Sequence, residues 1–339
     1  MSALIRIGVL GAGRWGPNLI RNFHDHGKSE VVRVADPDAA RRALLAPRYP
    51  DIPFSASPAD VLADETIDAV VIATPTSTHH ALAREALTRG KHVLVEKPIA
   101  ASSRDAEDLC DLAARSQRIL MVGHVFVYNN AIRWAKARIA DGLLGRLHYI
   151  AAQRTNLGPI RTDVNAAWDL AAHDLSIVQY WLGREPLTAS ALGGAWLNPG
   201  IEDAVFATLR YPDDVLVNLH VSWLNPRKVR HMTVVGEARM LTVDDMSVEE
   251  PVRVYDRGVA GAPVVADTFG SFRACVREGD ITIPRVGTGE PLRAECEHFV
   301  GCIENGSAPE TGGREGLAVV RALDAIARSI AASGREEKV

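Results

Sequence analysis

The stretch LIRIGVLGAGRWGPNLIRNF, residues 4–23, decides the fold. Its first half, Leu4 to Leu10, is an apolar run of strand length, interrupted by Arg6 and Gly8. Its second half sets Trp15, Leu19, Ile20 and Phe23 at helical spacing. Between the two, Gly11, Gly13 and Gly16 spell G-x-G-x-x-G, with Arg14 and Trp15 inside the turn. Glycines so spaced let backbone amides approach a pyrophosphate at a helix N-terminus. A strand, a glycine turn and a helix in this order predict a dinucleotide site.

The following segments support that reading. EVVRVADPDAARR, residues 30–42, is a second strand ending at Asp36, 20 residues past Gly16, with Pro37 fit for a first helical turn. A carboxylate there can accept hydrogen bonds from both ribose hydroxyls of an adenosine, and it would repel a 2′-phosphate. NAD is the expected cofactor. Arg41 and Arg42 leave NADP possible if they fold back, although such a pair also reads as a solvated helix face. IDAVVIATP (67–75) is a third strand, HHALAREALTRG (79–90) a helix closed by Gly90, and KHVLVEKP (91–98) another strand. SSRDAEDLCDLAARSQ and RILMVGH add one more helix and strand. Continuous apolar strands alternating with helices predict an α/β domain over 1–124, a doubly wound parallel sheet of the Rossmann kind.

Beyond residue 124 the pattern changes. A helix over 129–141 ends near Gly142 and Gly145, and strand-like runs follow at 147–156, 187–196, 203–211, 215–224 and 229–236. Long strands in succession predict an antiparallel or mixed sheet in an α+β domain over 125–333. The helix carrying WDLAAHDLSI (168–177) is inserted between the first two strands. Residues 291–332 return to helical spacing in two parts, the second able to pack back on the first domain. Residues 334–339 read as a frayed polar tail.

Composition narrows the function classes. Of the 339 residues, 47% are apolar and 24% charged, and 38 basic against 42 acidic residues give a net charge of −4. No polybasic face is on offer for nucleic acid or anionic lipid, so a small molecule is the expected ligand. The first apolar run is too short and too interrupted for a signal peptide or a membrane span, so a cytoplasmic location is expected. Cys110, Cys275, Cys296 and Cys302 form no metal-ligand spacing and read as reduced packing residues; no metal is expected.

Chemistry-bearing residues collect where strands end. Thr74, Pro75 and His79 in ATPTSTHH lie at the carboxyl edge of the sheet, where they can touch the cofactor; His79 and His80 read equally as helix caps. Glu96, Lys97 and Pro98 end a buried strand at the same edge. A lysine there can hydrogen-bond a substrate oxygen and stabilise negative charge developing on it. At 100° per residue, Asp169, His173, Ser176 and Tyr180 form one polar stripe on a helix otherwise rich in Leu170, Leu175, Ile177, Val178 and Leu182. Asp174 falls on the apolar arc and is expected to be paired or to close a backbone bond. The polar loop before this helix offers Asn156, Arg161, Asp163 and Asn165 to sugar hydroxyls or a phosphate, and Tyr128 and Asn129 are further pocket candidates. Arg227 and Lys228 could meet a diphosphate, or form a solvated hairpin pair.

GAGRWG, Asp36, ATPTSTHH, EKP and WDLAAHDLS, in that order, resemble the glucose-fructose oxidoreductase, inositol dehydrogenase and MocA family over essentially the whole chain. NLGPIRTDVNAAWDLAAHDLSI, HVSWLNPRKVR and PLRAECEHF are similar to its branch of nucleotide-sugar 3-dehydrogenases and sugar 3-ketoreductases. The resemblance implies a Rossmann domain, a second domain on a large open sheet often used for oligomerisation, and hydride exchange at a sugar or cyclitol carbon. It also implies that Lys97, Asp169 and His173 meet at the nicotinamide. His173 is then the general base, or acid in reverse, with Lys97 holding the reacting oxygen and Asp169 orienting a hydroxyl or the imidazole. A Lys97 base with a substrate-binding His173 is the competing division of labour. Where the family pattern has glycines around this aspartate, the chain reads NAAWDLAAHD, and Trp168 could narrow the pocket or stack on a sugar ring.

The expectation is an NAD(P)-dependent oxidoreductase acting on a sugar or nucleotide sugar, at C3 of a nucleotide-linked hexose, assembled as a homodimer or homotetramer through the second sheet. A 3-ketosugar reductase, a cyclitol dehydrogenase and a redox-neutral NAD-dependent glycosidase would use the same residues. A dinucleotide sensor without turnover would need only the first domain.

Overall fold

The computed structural model describes residues 4–259 and 276–339. Cys275 lies outside them. By contacts the chain divides into two units, Met1–Tyr128 with Gly289–Arg321, and Asn129–Thr288 with Ala322–Val339. Residues 289–321 thus group with the first unit.

In the first unit, strands β1 (Ile5–Leu10), β2 (Ser29–Ala35), β3 (Phe54–Ser55), β4 (Ala69–Ile72), β5 (His92–Glu96) and β6 (Leu120–Gly123) alternate with helices. The helices are α1 (Gly16–His24), α2 (Ala39–Leu45), α3 (Ala59–Leu62), α4 (Thr76–Thr88) and α5 (Ser103–Ser116). The strands are parallel in the order β3-β2-β1-β4-β5-β6. That is the doubly wound Rossmann order, whose direction of winding reverses between β1 and β4. The two strands run side by side there, Leu10 against Ile72, so the turns beginning at Gly11 and Ala73 open at the place where such sheets bind ligands. β4 is buried at all four residues because helices cover both faces, which is why its sequence is continuously apolar.

The second unit begins with α6 (Asn130–Ala140) and β7 (Leu147–Leu157), followed by α7 (Ala172–Leu182), entered through a π-helical turn at Ala167–Ala171. Strands β8 (Thr188–Gly194), β9 (Ala204–Arg210), β10 (Leu216–Ser222), β11 (Leu224–Gly236), β12 (Met240–Asp244), β13 (Val252–Val259) and β14 (Val276–Thr282) follow. Then come α8 (Pro291–Asn305), α9 (Gly313–Ala331) and β15 (Glu337–Lys338). Among the described residues the second sheet has nine strands, ordered β14-β13-β12-β11-β7-β10-β9-β8-β15. Only β7 and β10 pair in parallel, so the sheet is mixed and mostly antiparallel. Ile150, Val217, Leu219, Leu209 and Val234 are buried, whereas Phe206 stays 53% exposed and Leu192 59%. On that open side Phe206 faces its register partner His220, their rings stacked at 4.4 Å.

Two expectations about this unit need correction. The tail does not fray: Glu337 and Lys338 pair with Ala189 and Thr188, making β15 the edge strand. Arg227 and Lys228 sit not in a hairpin turn but within β11, at a register shift between Leu224 and Val229. Helix α8 belongs with the first unit, where Phe299 meets Phe23 of α1 edge to face at 6.2 Å. Cys296 and Cys302 are buried and Cys110 half-buried, all as free thiols. Among the described residues no helix is long and apolar enough to cross a membrane.

Candidate active site

The first unit builds a nucleotide cradle from the glycine turn. Gly11 has φ +96°, and a Cβ there would stand 2.4 Å from the Ala73 carbonyl oxygen; a Cβ on Gly16 would stand 2.2 Å from the Gly11 carbonyl oxygen. Only glycine closes the turn so tightly. Gly13 differs, because its added Cβ would meet nothing nearer than the Arg41 guanidinium at 3.5 Å. Its bareness leaves backbone open to a ligand. Trp15 supplies no side-chain cap to α1, Pro17 carries no amide hydrogen, and the Asn18 and Leu19 amides turn back to the Trp15 carbonyl oxygen at 3.0 and 3.1 Å. Arg14 is exposed beside them. These features fit a dinucleotide pyrophosphate.

Asp36 is 2% exposed. Its Oδ2 accepts from the Ala12 amide at 2.7 Å and its Oδ1 from the Asp38 amide at 2.8 Å. A carboxylate has about four lone-pair sites, so acceptor capacity remains for ribose hydroxyls. The two arginines behave differently. Arg42 donates to the Asp36 carbonyl oxygen at 2.6 Å and locks the backbone, whereas Arg41 lies 3.6 Å from Asp36 Oδ2, over the glycine turn and half exposed.

At the next strand end, the Thr74 hydroxyl shares a hydrogen bond with that of Thr78 at 2.7 Å. Pro75 precedes α4 without a side-chain cap, so neither His79 nor His80 caps the helix. His79 is buried, and its ring spans the carbonyl oxygens of Pro98 at 2.8 Å and Thr74 at 2.9 Å. It thereby ties the Thr74 loop to the loop that carries Lys97. His80 reaches Asp108 of α5 at 2.9 Å instead. Glu96 is half-buried, and desolvation pushes its carboxyl up to about 7 against the opposing charge of Lys97. Tyr128 is buried, with its hydroxyl 3.0 Å from that of Thr311 and its ring tilted against His298.

In the second unit Asp169 sits within the π turn, where each residue advances less than 100°, so the simple helical stripe does not carry through from Asp169 to Tyr180. Ser176 leaves the stripe altogether, buried with its hydroxyl donating to the His173 carbonyl oxygen at 2.7 Å. Asp169 is fixed from two sides. The Trp223 indole N–H donates to its Oδ2 at 3.1 Å, and Arg161 donates to its Oδ1 at 3.3 Å. Arg161 also grips Asp163 through two hydrogen bonds, which hold the Asp163 carboxyl below the usual carboxylate range. His173, four residues on in α7, is half-buried.

The remaining loop residues are hydrogen-bonded within the chain. Asn165 accepts from the Trp168 amide at 3.1 Å and donates to Glu202 at 2.6 Å, which makes it a cap of the π turn with both amide atoms engaged. Asn156 donates to the Gly158 carbonyl oxygen. Asn129 caps α6 through the Ala131 amide and donates to Asp245. Asp174 is buried and accepts two hydrogen bonds from Arg154 of β7, at 2.9 and 2.7 Å. Trp168 is half-buried beside Asp169. Sequence reasoning missed Trp223, which arrives from the end of β10, 54 residues beyond Asp169, with no local signal. Among the described residues no three His, Cys, Asp or Glu side chains form a metal-ligand group.

Residues 5–124 match the family model described as the oxidoreductase family with an NAD-binding Rossmann fold, and residues 132–242 match its C-terminal domain. The chain is 30% identical over 303 residues to a UDP-N-acetylglucosamine 3-dehydrogenase of Acidithiobacillus ferrooxidans, covering 88% of each protein. It is 27% identical to an inositol 2-dehydrogenase of Paenarthrobacter aurescens, covering 99% of this chain and 98% of that one. The crystal structure of the Acidithiobacillus ferrooxidans enzyme superposes with a TM-score of 0.81 at 26% identity, covering 97% of this chain and 99% of that one.

Proposed function

Because the chain belongs to the GFO/IDH/MocA oxidoreductase family, we propose that it transfers hydride between a nicotinamide cofactor and a carbinol carbon of a sugar, namely C3 of a nucleotide-linked hexose. The observation that carries this reading is the fixed carboxylate of Asp169, held by Trp223 and Arg161 and followed by His173 on α7. A carboxylate locked in one orientation and an imidazole on the next stretch of helix suit a polyhydroxyl substrate. The 3-dehydrogenase relative supports the carbon and the nucleotide.

Gly11, Gly13, Gly16 and Asp36, with Arg14, Trp15, Thr74 and Pro75 beside them, would hold the dinucleotide, which supplies the hydride acceptor or donor when bound. As hydride leaves the carbinol carbon, His173 takes the hydroxyl proton, and in reduction it returns that proton. Lys97 holds the reacting oxygen and stabilises its developing negative charge. Asp169 orients the hydroxyl or the imidazole, and Arg161, Asp163 and Trp168 border the sugar. Asp36 favours NAD, while Arg41 admits some NADP. The open face around Phe206 and Leu192 supports assembly as a dimer or tetramer.

The test is isotopic. UDP-hexose deuterated at C3 is expected to deliver deuterium to the reduced cofactor recovered after one turnover; deuterium delivered from another carbon would contradict the assignment. The inositol 2-dehydrogenase relative, which spans nearly the whole chain, favours a second reading as a cyclitol dehydrogenase. Turnover with free inositols but none with nucleotide sugars would select it.

A further inference from the structure

Beside the strand end that presents Lys97, the first unit buries ionisable side chains to which hydride transfer assigns no role. The pairing of β5 with β6 sets Glu96 against Gly123, and a Cβ added to Gly123 would lie 3.4 Å from the Glu96 carboxyl. That carboxyl therefore lies close over bare backbone. The next residue, His124, is 1% exposed, and Glu295 of α8 is 0% exposed. Helix α8 packs on the short turn Val125–Tyr128 that follows His124, which brings Glu295 within electrostatic reach of Glu96. Among the described residues, neither ring nitrogen of His124 and neither carboxyl oxygen of Glu295 has a hydrogen-bond partner. An unmet buried polar atom costs on the order of 1–3 kcal/mol, and internal water is its ordinary partner.

We propose that Glu96, His124 and Glu295 bind internal water and form a positioning unit for Lys97, with one exchangeable proton held at Glu96. The proposal rests on the reading of Lys97 as the group that holds the reacting oxygen. Burial first, and Glu96 second, push the Glu295 carboxyl well above its usual range, so it remains a neutral donor. Burial first, and the charge of Lys97 second, push the His124 imidazole down to about 3, so it too remains neutral. Glu96, at about 7, is left as the group that titrates. The other ionisable groups near this cluster are Lys97 itself, Tyr128 on the turn, and Cys296 of α8, whose thiol burial raises. Farther along α8, Glu290 is paired with Arg21 of α1. When Glu96 is ionised it holds Lys97 as an ammonium aimed at the substrate oxygen; when protonated it releases that hold. Activity should therefore rise as pH increases through the Glu96 titration.

The experiment combines pH profiles of kcat/KM with infrared difference spectra of the cofactor-free protein between acid and alkaline pH. Wild type is expected to show a carboxyl band that titrates together with the acid limb of the profile. Glu96→Gln should erase both. Glu295→Leu removes the donor that reaches the Glu96 carboxylate through the bound water and should move both upward by about one pH unit, a change worth about 1.4 kcal/mol. Glu295→Gln, which keeps size and a donor, should restore the wild-type position. Unchanged titration in Glu295→Leu, or no titrating carboxyl band in wild type, would overturn the proposal. A band that behaves as described while Lys97→Ala leaves turnover intact would support the proton-holding cluster and reject the reading of Lys97.

Discussion

Residues that look alike in the sequence part company in their surroundings. Asp169 and Asp174 lie five apart in one segment, yet Asp169 is held by Trp223 and Arg161 at its edge, and Asp174 is sealed against Arg154. Asp174→Ala should destabilise the fold by about 3–5 kcal/mol, since it strands a buried guanidinium; a denaturant titration measures this. Trp223→Phe keeps the packing and deletes one donor to a carboxylate, a bond worth about 1.5–3 kcal/mol. A fall in kcat/KM of about 10-fold or more is expected, with a loss of stability no larger than that bond, and unaltered kinetics would remove Asp169 orientation from the mechanism. Arg41→Ala should weaken NADP binding more than NAD binding, because it deletes the cation beside Asp36; fluorescence titration of both cofactors would show it. The glycine turn and the strand-end positions of Asp36 and Lys97 were legible because each depends on local spacing. The internal contacts of Tyr128 and Asn165 were not legible, because Thr311 and Glu202, which engage them, come from distant segments.

Elements were legible wherever period and punctuation agreed. The apolar strands of the first sheet and the helix end at Gly90 follow from pattern alone. The π turn does not, because it preserves an apolar pattern close to that of an ordinary helix while redirecting Asp169. Nor did the tail announce a strand, since its pairing with β8 uses backbone that any sequence supplies. Removal of residues 335–339 should expose the β8 edge and lower stability by about 1 kcal/mol, the scale of a single net hydrogen bond; a thermal melt decides. His124 offers a pH test within one element. Its folded value of about 3 lies below the unfolded value of about 6.5, so the unfolded chain binds the extra proton. The stability it contributes is complete above that unfolded value and is lost as pH falls through the window toward the folded value. The stability difference between wild type and His124→Asn should be constant at alkaline pH and shift against wild type across that window.

Phe206 and Leu192 present apolar area on the open side of the second sheet, and Phe206→Asp should lower the mass found by light scattering if that face joins copies of the chain. The central claim is hydride exchange with a nucleotide sugar, and single-turnover nicotinamide absorbance at stoichiometric enzyme tests it most directly. UDP- and dTDP-hexoses would be offered with NAD or NADP, beside Lys97→Ala and His173→Ala. One equivalent of reduced cofactor is expected with a nucleotide hexose, abolished in both variants. Cofactor binding without reduction by any of these sugars, or reduction that survives in both variants, would contradict it.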